Sequence, residues 1–271
     1  AHITDRILDE VYAWQNRPLL PFYTFLFIDC LYVPMKTDRA LKQKAVYVIL
    51  GYDINGEKDI LGIWINETEG KHTWMQIFDE IKNRGVQDIG FISMDGVSGL
   101  EEGAAAIFPG TVVQRCIVHL IRNSMRYIPW NKSREFLKEL KEIYKATNVA
   151  EARRLFEKFK GKWAAYPGAI AVWKNNFQHV EQLFNYGSNV RRVMYTTNAI
   201  ESINSSFRKV TRKGSFANDE AILKLLYLRV LELKNTKWKG KGKVFNWQAV
   251  MNQLLIDERM SKLIAKYDWL I

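Results

Sequence analysis

Cysteine is scarce in this chain: Cys30 and Cys116 are the only two. Two thiols cannot build the disulfide framework of a small secreted scaffold, and they predict an intracellular, reducing compartment. Histidine is also rare, at four residues. Cys116-Ile117-Val118-His119 has no second Cys or His pair at matching spacing, so a structural zinc site lacks its ligand set. No apolar run is long enough to span a bilayer. The apolar stretch from Leu19 to Ile28 is short and ends at Asp29. No signal peptide is visible either, which leaves a membrane out of the expected partners. Acidic residues are outnumbered, 29 Asp and Glu against 40 Lys and Arg, for a net charge of +11. That balance favours a polyanionic partner.

What is present is globular. Hydrophobic residues make up 48% and charged residues 25% of the 271, enough to bury the core of one elaborated domain or two. The chain opens on Ala1 and enters abruptly, so it reads as a fragment of a longer protein. Residues 1–20 form a helical lead-in. Phe25 to Val33 is almost wholly apolar, as a central strand would be. Ala45 to Tyr52 and Ile60 to Asn66 are two further strands, joined through an Asn55-Gly56 hairpin turn. A helix over Thr73 to Arg84 is stopped by Gly85. Ile89 to Met94 is the fourth strand, a short fifth begins at Val112, and Cys116 to Tyr127 is helical. The order β-β-β-α-β-α-β-α predicts an α/β fold with a mixed sheet, an antiparallel meander followed by parallel strands.

From about 130 to 190 the pattern turns purely helical. Phe136, Leu140 and Ile143 form one stripe, Ala152, Phe156 and Phe159 a second, Trp173, Phe177 and Val180 a third. Asn148 with Glu151 resembles a capping box. This is an all-helical insertion between 21–129 and 191–235. A basic segment and a C-terminal helix fill 236–271. The segment's lysines, Lys234 to Lys243, suit a solvated linker or a DNA-tracking arm.

Three carboxylates stand out. Asp29 lies inside an apolar strand, where a carboxylate must be held by backbone amides, paired with a cation or bound to a metal. Asp95 follows the fourth strand, at the sheet end where ligands of open α/β sheets sit, although Asp-Gly is also a common turn. Glu201 opens a helix, where the helix dipole alone would favour it. If the first and fourth strands are neighbours and this helix packs across them, the three converge. Such a set, without a histidine cage, suits magnesium or manganese. Beyond Glu201, helical spacing groups Asn198, Ser205, Arg208 and Lys209 near one face, with Arg212 and Lys213 following. That face offers phosphate-binding groups. Cys116 and His119 read as a buried thiol and either a core histidine or one oriented near the carboxylates, in reach of DNA. Trp163 and Trp173 lie on core stripes, and either would stack on an unpaired base if exposed.

Ile28-Asp29-Cys30-Leu31-Tyr32-Val33, Leu61-Gly62-Ile63-Trp64, Ser93-Met94-Asp95-Gly96, Phe108-Pro109, Gln114 to Asn123 and Tyr195-Thr196-Thr197-Asn198-Ala199-Ile200-Glu201 occur in this order. Together they closely resemble bacterial insertion-sequence transposases of the Mutator superfamily, over about Pro21 to Glu232. The resemblance implies an RNase H-like core with a DDE triad, Asp29, Asp95 and Glu201, and an all-helical insertion before the glutamate. It implies two Mg2+ ions, replaceable by Mn2+. Cys116 and His119 match the family's C-x-x-H signature, and Trp173 falls where the family often has a tryptophan in the insertion. Arg122, Asn204, Arg208, Lys209, Arg212 and Lys213 join them as expected DNA contacts. The implied activity is nicking at transposon ends and joining of the 3′-hydroxyl to another phosphodiester, on a copy-out, paste-in route through a circular intermediate. Its implied partners are double-stranded DNA, both transposon ends and target, and a second copy of the chain. Its implied place is the bacterial cytoplasm, at the nucleoid. The rival readings are an RNase H-like nuclease that cuts without joining and a non-catalytic DNA-binding protein descended from a transposase.

Overall fold

The computed structural model describes residues 2–271 apart from 68, 69, 197 and 213, and leaves the side chains of His2 and Asn198 undescribed. The chain divides into two compact units, one of residues 1–113 and 197–271, the other of Gln114–Thr196. The helical unit is therefore wider than the insertion expected over 130–190. Its extra length at the front is a helix that packs within the helical unit, a long-range contact that local periodicity does not encode.

The first unit begins with α1 (His2–Gln15), followed by β1 (Phe22–Lys36), β2 (Leu41–Tyr52), β3 (Lys58–Asn66), α2 (Lys71–Asn83), β4 (Asp88–Met94), α3 (Leu100–Ile107) and β5 (Val112–Arg115). The sheet runs β3-β2-β1-β4-β5. β1 is thus the middle strand, which explains why Phe22 to Ile28 is buried on both faces. β2 lies antiparallel to β1 and β3 to β2, while β4 is parallel to β1. This mixed order is consistent with an RNase H-like fold. The Asn-Gly turn forms as expected. Asp53 Oδ1 accepts from the N–H groups of Asn55 and Glu57 at 2.8 and 2.9 Å, and Gly56 takes φ +76°. A Cβ at Gly56 would also stand 2.5 Å from the Trp247 ring, so the turn needs glycine twice over.

One sheet face carries Leu26, Ile28, Ile49, Leu61, Ile92 and Met94 and packs on Trp74, Ile77, Phe78 and Ile81 of α2 and on Leu100 and Ala104 of α3. Strand alternation sends Phe25, Phe27 and Phe91 to the other face. There Phe25 stacks on Phe91 at 5.1 Å and meets Trp247 edge-on.

The second unit holds α4 (Ile117–Met125), α5 (Ser133–Tyr144), α6 (Val149–Lys162), α7 (Pro167–Leu183) and α8 (Ser188–Tyr195). Asn148 caps α6, its side chain accepting from the Glu151 N–H at 2.8 Å. Phe136, Phe159 and Trp163 form an aromatic cluster between α5 and α6. α4 packs on α7.

The chain returns to the first unit with α9 (Asn198–Thr211), α10 (Asp219–Asn235), α11 (Trp247–Leu254) and α12 (Glu258–Lys266). The single C-terminal helix expected from sequence is thus a pair. The lysine-rich segment before it is not a free linker. Its backbone docks on the β2–β3 turn, where Lys58 N–H donates to the Gly242 carbonyl and Val244 N–H to that of Gly56, while Lys234 pairs with Asp59 at 3.1 Å. α12 is anchored through Arg259, which donates to the Gly90 carbonyl at 2.8 Å and lies over the Phe91 ring.

Candidate active site

Three elements of the first unit position the candidate residues. Ile28 of β1 pairs in parallel with Met94 of β4. Asp29 and Asp95 are each the next residue, so the register carries both carboxylates to the same level on neighbouring strands. Because Ile28 and Met94 face α2 and α3, Asp29 turns to the opposite face. There α9 packs on β1.

Asp29 is half-buried and held at both oxygens. Its Oδ1 accepts from the Cys30 N–H at 2.8 Å. Its Oδ2 accepts a short hydrogen bond from Asn204 Nδ2. Asp95 is also half-buried, and its Oδ1 accepts from the Gly96 N–H at 2.9 Å. Glu201 occupies the first turn of α9, where the helix N-terminus favours a carboxylate. Asn204 follows three residues later, one turn along the helix.

α9 is sharply two-sided. Ile200, Ile203, Asn204, Phe207 and Thr211 are buried, whereas Ser205, Arg208, Lys209 and Arg212 are exposed. The exposed stripe is the expected cationic face. Asn198 and Lys213, also expected on it, fall outside what is described, the first as a side chain and the second entirely. Asn204 is a correction. It was expected to touch DNA, but it is 1% exposed and spends its amide on Asp29. Its position among Ile200, Ile203 and Phe207 was the available signal: a polar residue on an apolar stripe needs a buried partner. The Asn204 Oδ1 atom is buried with no hydrogen-bond partner among the described residues.

In the helical unit the expected DNA contacts divide. Arg122 is exposed and His119 half-buried. Cys116 is a buried thiol outside any disulfide, so it cannot reach a nucleic acid. Trp173 is fully buried, and its Nε1 donates to Ser124 Oγ at 3.0 Å. The conditional reading of Trp173 as a stacking platform fails on that burial, and Trp163, 3% exposed, is likewise core.

Among the described residues, no group of three or more His, Cys, Asp or Glu side chains is gathered closely enough to hold a metal ion. The donors still have the right chemistry for a hard cation: carboxylate oxygens on β1, β4 and α9, plus the orphaned amide oxygen of Asn204 beside Asp29.

A mixed sheet with one aspartate inside its central strand, a second just beyond the neighbouring strand and a glutamate on the helix packed against that central strand defines an α/β protein. The family described as "Transposase, Mutator family" matches residues 1–240, and the chain belongs to it. Among curated relatives, the transposase of insertion sequence ISRM3 from Rhizobium meliloti is 42% identical over 240 residues, 88% of this chain and 60% of that protein. A probable insertion-sequence transposase from Corynebacterium diphtheriae is 36% identical over 273 residues, 94% of this chain and 80% of that protein. The transposase of IS256 in Tn4001 from Staphylococcus aureus is 29% identical over 212 residues, 76% of this chain and 54% of that protein. The chain thus spans about three fifths of the length of the ISRM3 transposase it matches. No helix among the described residues is long and apolar enough to cross a membrane.

Proposed function

We propose that this chain is the catalytic core of a DNA transposase that nicks element ends and joins the freed 3′-hydroxyl to another phosphodiester. The observation that carries the reading is the register of β1 on β4, with Asp29 tied through Asn204 to the helix that bears Glu201. Family membership supports it, and so do the relatives' names.

Asp29, Asp95 and Glu201 would hold two Mg2+ ions, with Mn2+ an acceptable substitute. Bound there, such ions lower the pKa of an attacking hydroxyl or water and offset charge on the leaving oxygen. The protein's own residues do the rest. Asn204 donates to Asp29 and orients it. The backbone N–H groups of Cys30 and Gly96 fix one oxygen of each aspartate. Arg208, Lys209 and Arg212 present charge to the phosphates flanking the scissile bond. A second copy of the chain would bring the second element end.

The test is strand transfer from a labelled duplex ending in the inverted repeat of the element that encodes the chain. In Mg2+, the label is expected to move into an unlabelled second duplex, and EDTA is expected to stop it. Cleavage without transfer would favour the RNase H-like nuclease. Binding with neither would favour the non-catalytic DNA-binding reading.

Asn204 gives a second prediction. Asn204→Ala removes the donor to Asp29 and is expected to lower turnover by about 10- to 100-fold, the range for residues that orient metal ligands. The Mg2+ concentration for half-maximal activity should rise in parallel. Asn204→Asp sets a carboxylate against Asp29 and should do worse. Wild-type turnover with an unchanged Mg2+ requirement in Asn204→Ala would remove this residue from the site.

A further inference from the structure

We infer that the β1–β2 hairpin and the outer face of α9 form a continuous track for the sugar-phosphate backbone of duplex DNA, leading away from Asp29. The inference rests on the reading of the chain as a DNA-processing enzyme and deepens it by assigning the flanking DNA a path.

The chain itself marks that path. Asn204 of α9 is bonded to Asp29 of β1. Twelve residues on, Phe216 pairs in parallel with Met35 of the same strand. There Phe216 N–H donates to the Pro34 carbonyl at 3.1 Å, and Lys36 N–H to that of Phe216 at 2.9 Å. Asn204 and Phe216 are thus fixed against β1 at Asp29 and at the hairpin end respectively. All of these belong to one compact unit.

Charge follows the same line. No Asp or Glu occurs from Ser202 to Asn218, while Arg208, Lys209, Arg212 and Lys213 do. The hairpin adds Lys36, Arg39 and Lys42, all exposed, against a single carboxylate, Asp38. These hairpin cations form no ion pair among the described residues. Lys44, nearer the sheet, is different, being paired with Asp219 and Glu67 at 2.8 and 3.5 Å. Unpaired cations thus collect where the hairpin leaves the core. Lys42 pairs with Met35, and alternation puts that pair on the sheet face that carries Asp29 and Lys36 on the other, so Lys42 and Arg39 of the tip carry the track. The tip is closed by Thr37, which exchanges hydrogen bonds with Ala40 at 2.6 to 3.1 Å, so its cations are presented on ordered backbone.

The dimensions suit a nucleic-acid strand. From Asp29 to Met35 is six strand residues, about 20 Å. That is the length of about six phosphates along one strand of B-DNA. A compact acidic protein partner would use a patch of this charge, but it would have no reason to need two parallel basic elements aligned on the reaction site.

The experiment measures binding of the full chain to a labelled mixed-sequence duplex across a salt series. It compares the K36A/R39A/K42A and R208A/K209A/R212A variants with wild type. All six positions are exposed, and unchanged thermal melts check the fold. Each lost phosphate contact should reduce the slope of log K against log salt by about one, so the hairpin variant should lose about two, from Arg39 and Lys42. K36R/R39K/K42R should keep the wild-type slope. A hairpin variant with the wild-type slope, beside an α9 variant with a reduced one, would overturn the track and leave the DNA reading standing. Wild-type slopes in both variants would overturn both.

Discussion

Asp95→Asn is expected to abolish cleavage and joining while leaving DNA binding and the melting temperature unchanged. The substitution separates the two readings of an aspartate that follows a strand and precedes a glycine. As a turn residue, Asp95 contributes Oδ1 as acceptor for the Gly96 N–H. Asparagine supplies the same acceptor in the same shape, so a structural role survives it. As a metal ligand, Asp95 contributes negative charge, which asparagine lacks. Loss of that charge weakens the hold on a cation whose stabilisation of the transition state is worth several kcal/mol, roughly a thousandfold or more in rate. The measurement is transfer of a labelled strand into a second duplex, with binding followed in the same samples. Asp95→Ala should lose activity equally, with a small added cost from the turn. Joining by Asp95→Asn at more than a tenth of the wild-type rate would remove Asp95 from the triad. Asp29→Asn is the companion, since Asp29 follows Ile28 as Asp95 follows Met94 in the paired register.

Where burial was dense, the sequence was readable. β1 sits between two neighbours with both faces covered, and its run of Phe25, Leu26, Phe27 and Ile28 states that directly. The helical stripes of α5, α6 and α7 were equally plain, because each buries one face. The hairpin was not. β1 continues to Lys36 and β2 begins at Leu41, beyond the expected ends at Val33 and Ala45. Residues 36–43 are exposed and, apart from Ala40 and Leu41, polar, so no alternation marks them as strand. Their pairing comes from the backbone ladder and the Phe216 bridge.

The candidate site divides in the same way. An aspartate in an apolar strand and another at a strand end were visible as anomalies. The Asn204 contact with Asp29 joins residues 175 positions apart, and no spacing rule reaches that far. The residue patterns already placed Cys116 as a buried thiol and Trp173 in the core; only the DNA contacts implied for them by the resemblance fail. Both sit beside or within an amphipathic helix, where a residue's type suggests chemistry but only packing decides whether it meets solvent.

Trp173 supplies the other large effect, and it falls on stability. Trp173→Ala is expected to destabilise the helical unit by about 3–5 kcal/mol, the usual cost of truncating a buried tryptophan. A domain's whole stability is about 5–15 kcal/mol, so this one change removes a large share. The side chain is fully buried on α7, and its Nε1–H reaches Ser124 Oγ of α4 at 3.0 Å, so it clamps two helices that pack together. Trp173→Phe keeps much of the apolar volume and drops the donor, and should cost less. Ser124→Ala leaves the indole N–H buried and unmatched, for about 1–3 kcal/mol. Urea melts of the three single variants and of Trp173→Phe with Ser124→Ala would close the cycle. If the hydrogen bond is real, the double variant costs less than the two singles added. DNA affinity in Trp173→Phe should equal wild type under conditions where the protein is folded, because a buried ring cannot stack on a base. A variant with unchanged melting but weakened DNA binding would mean that Trp173 leaves the core to meet nucleic acid.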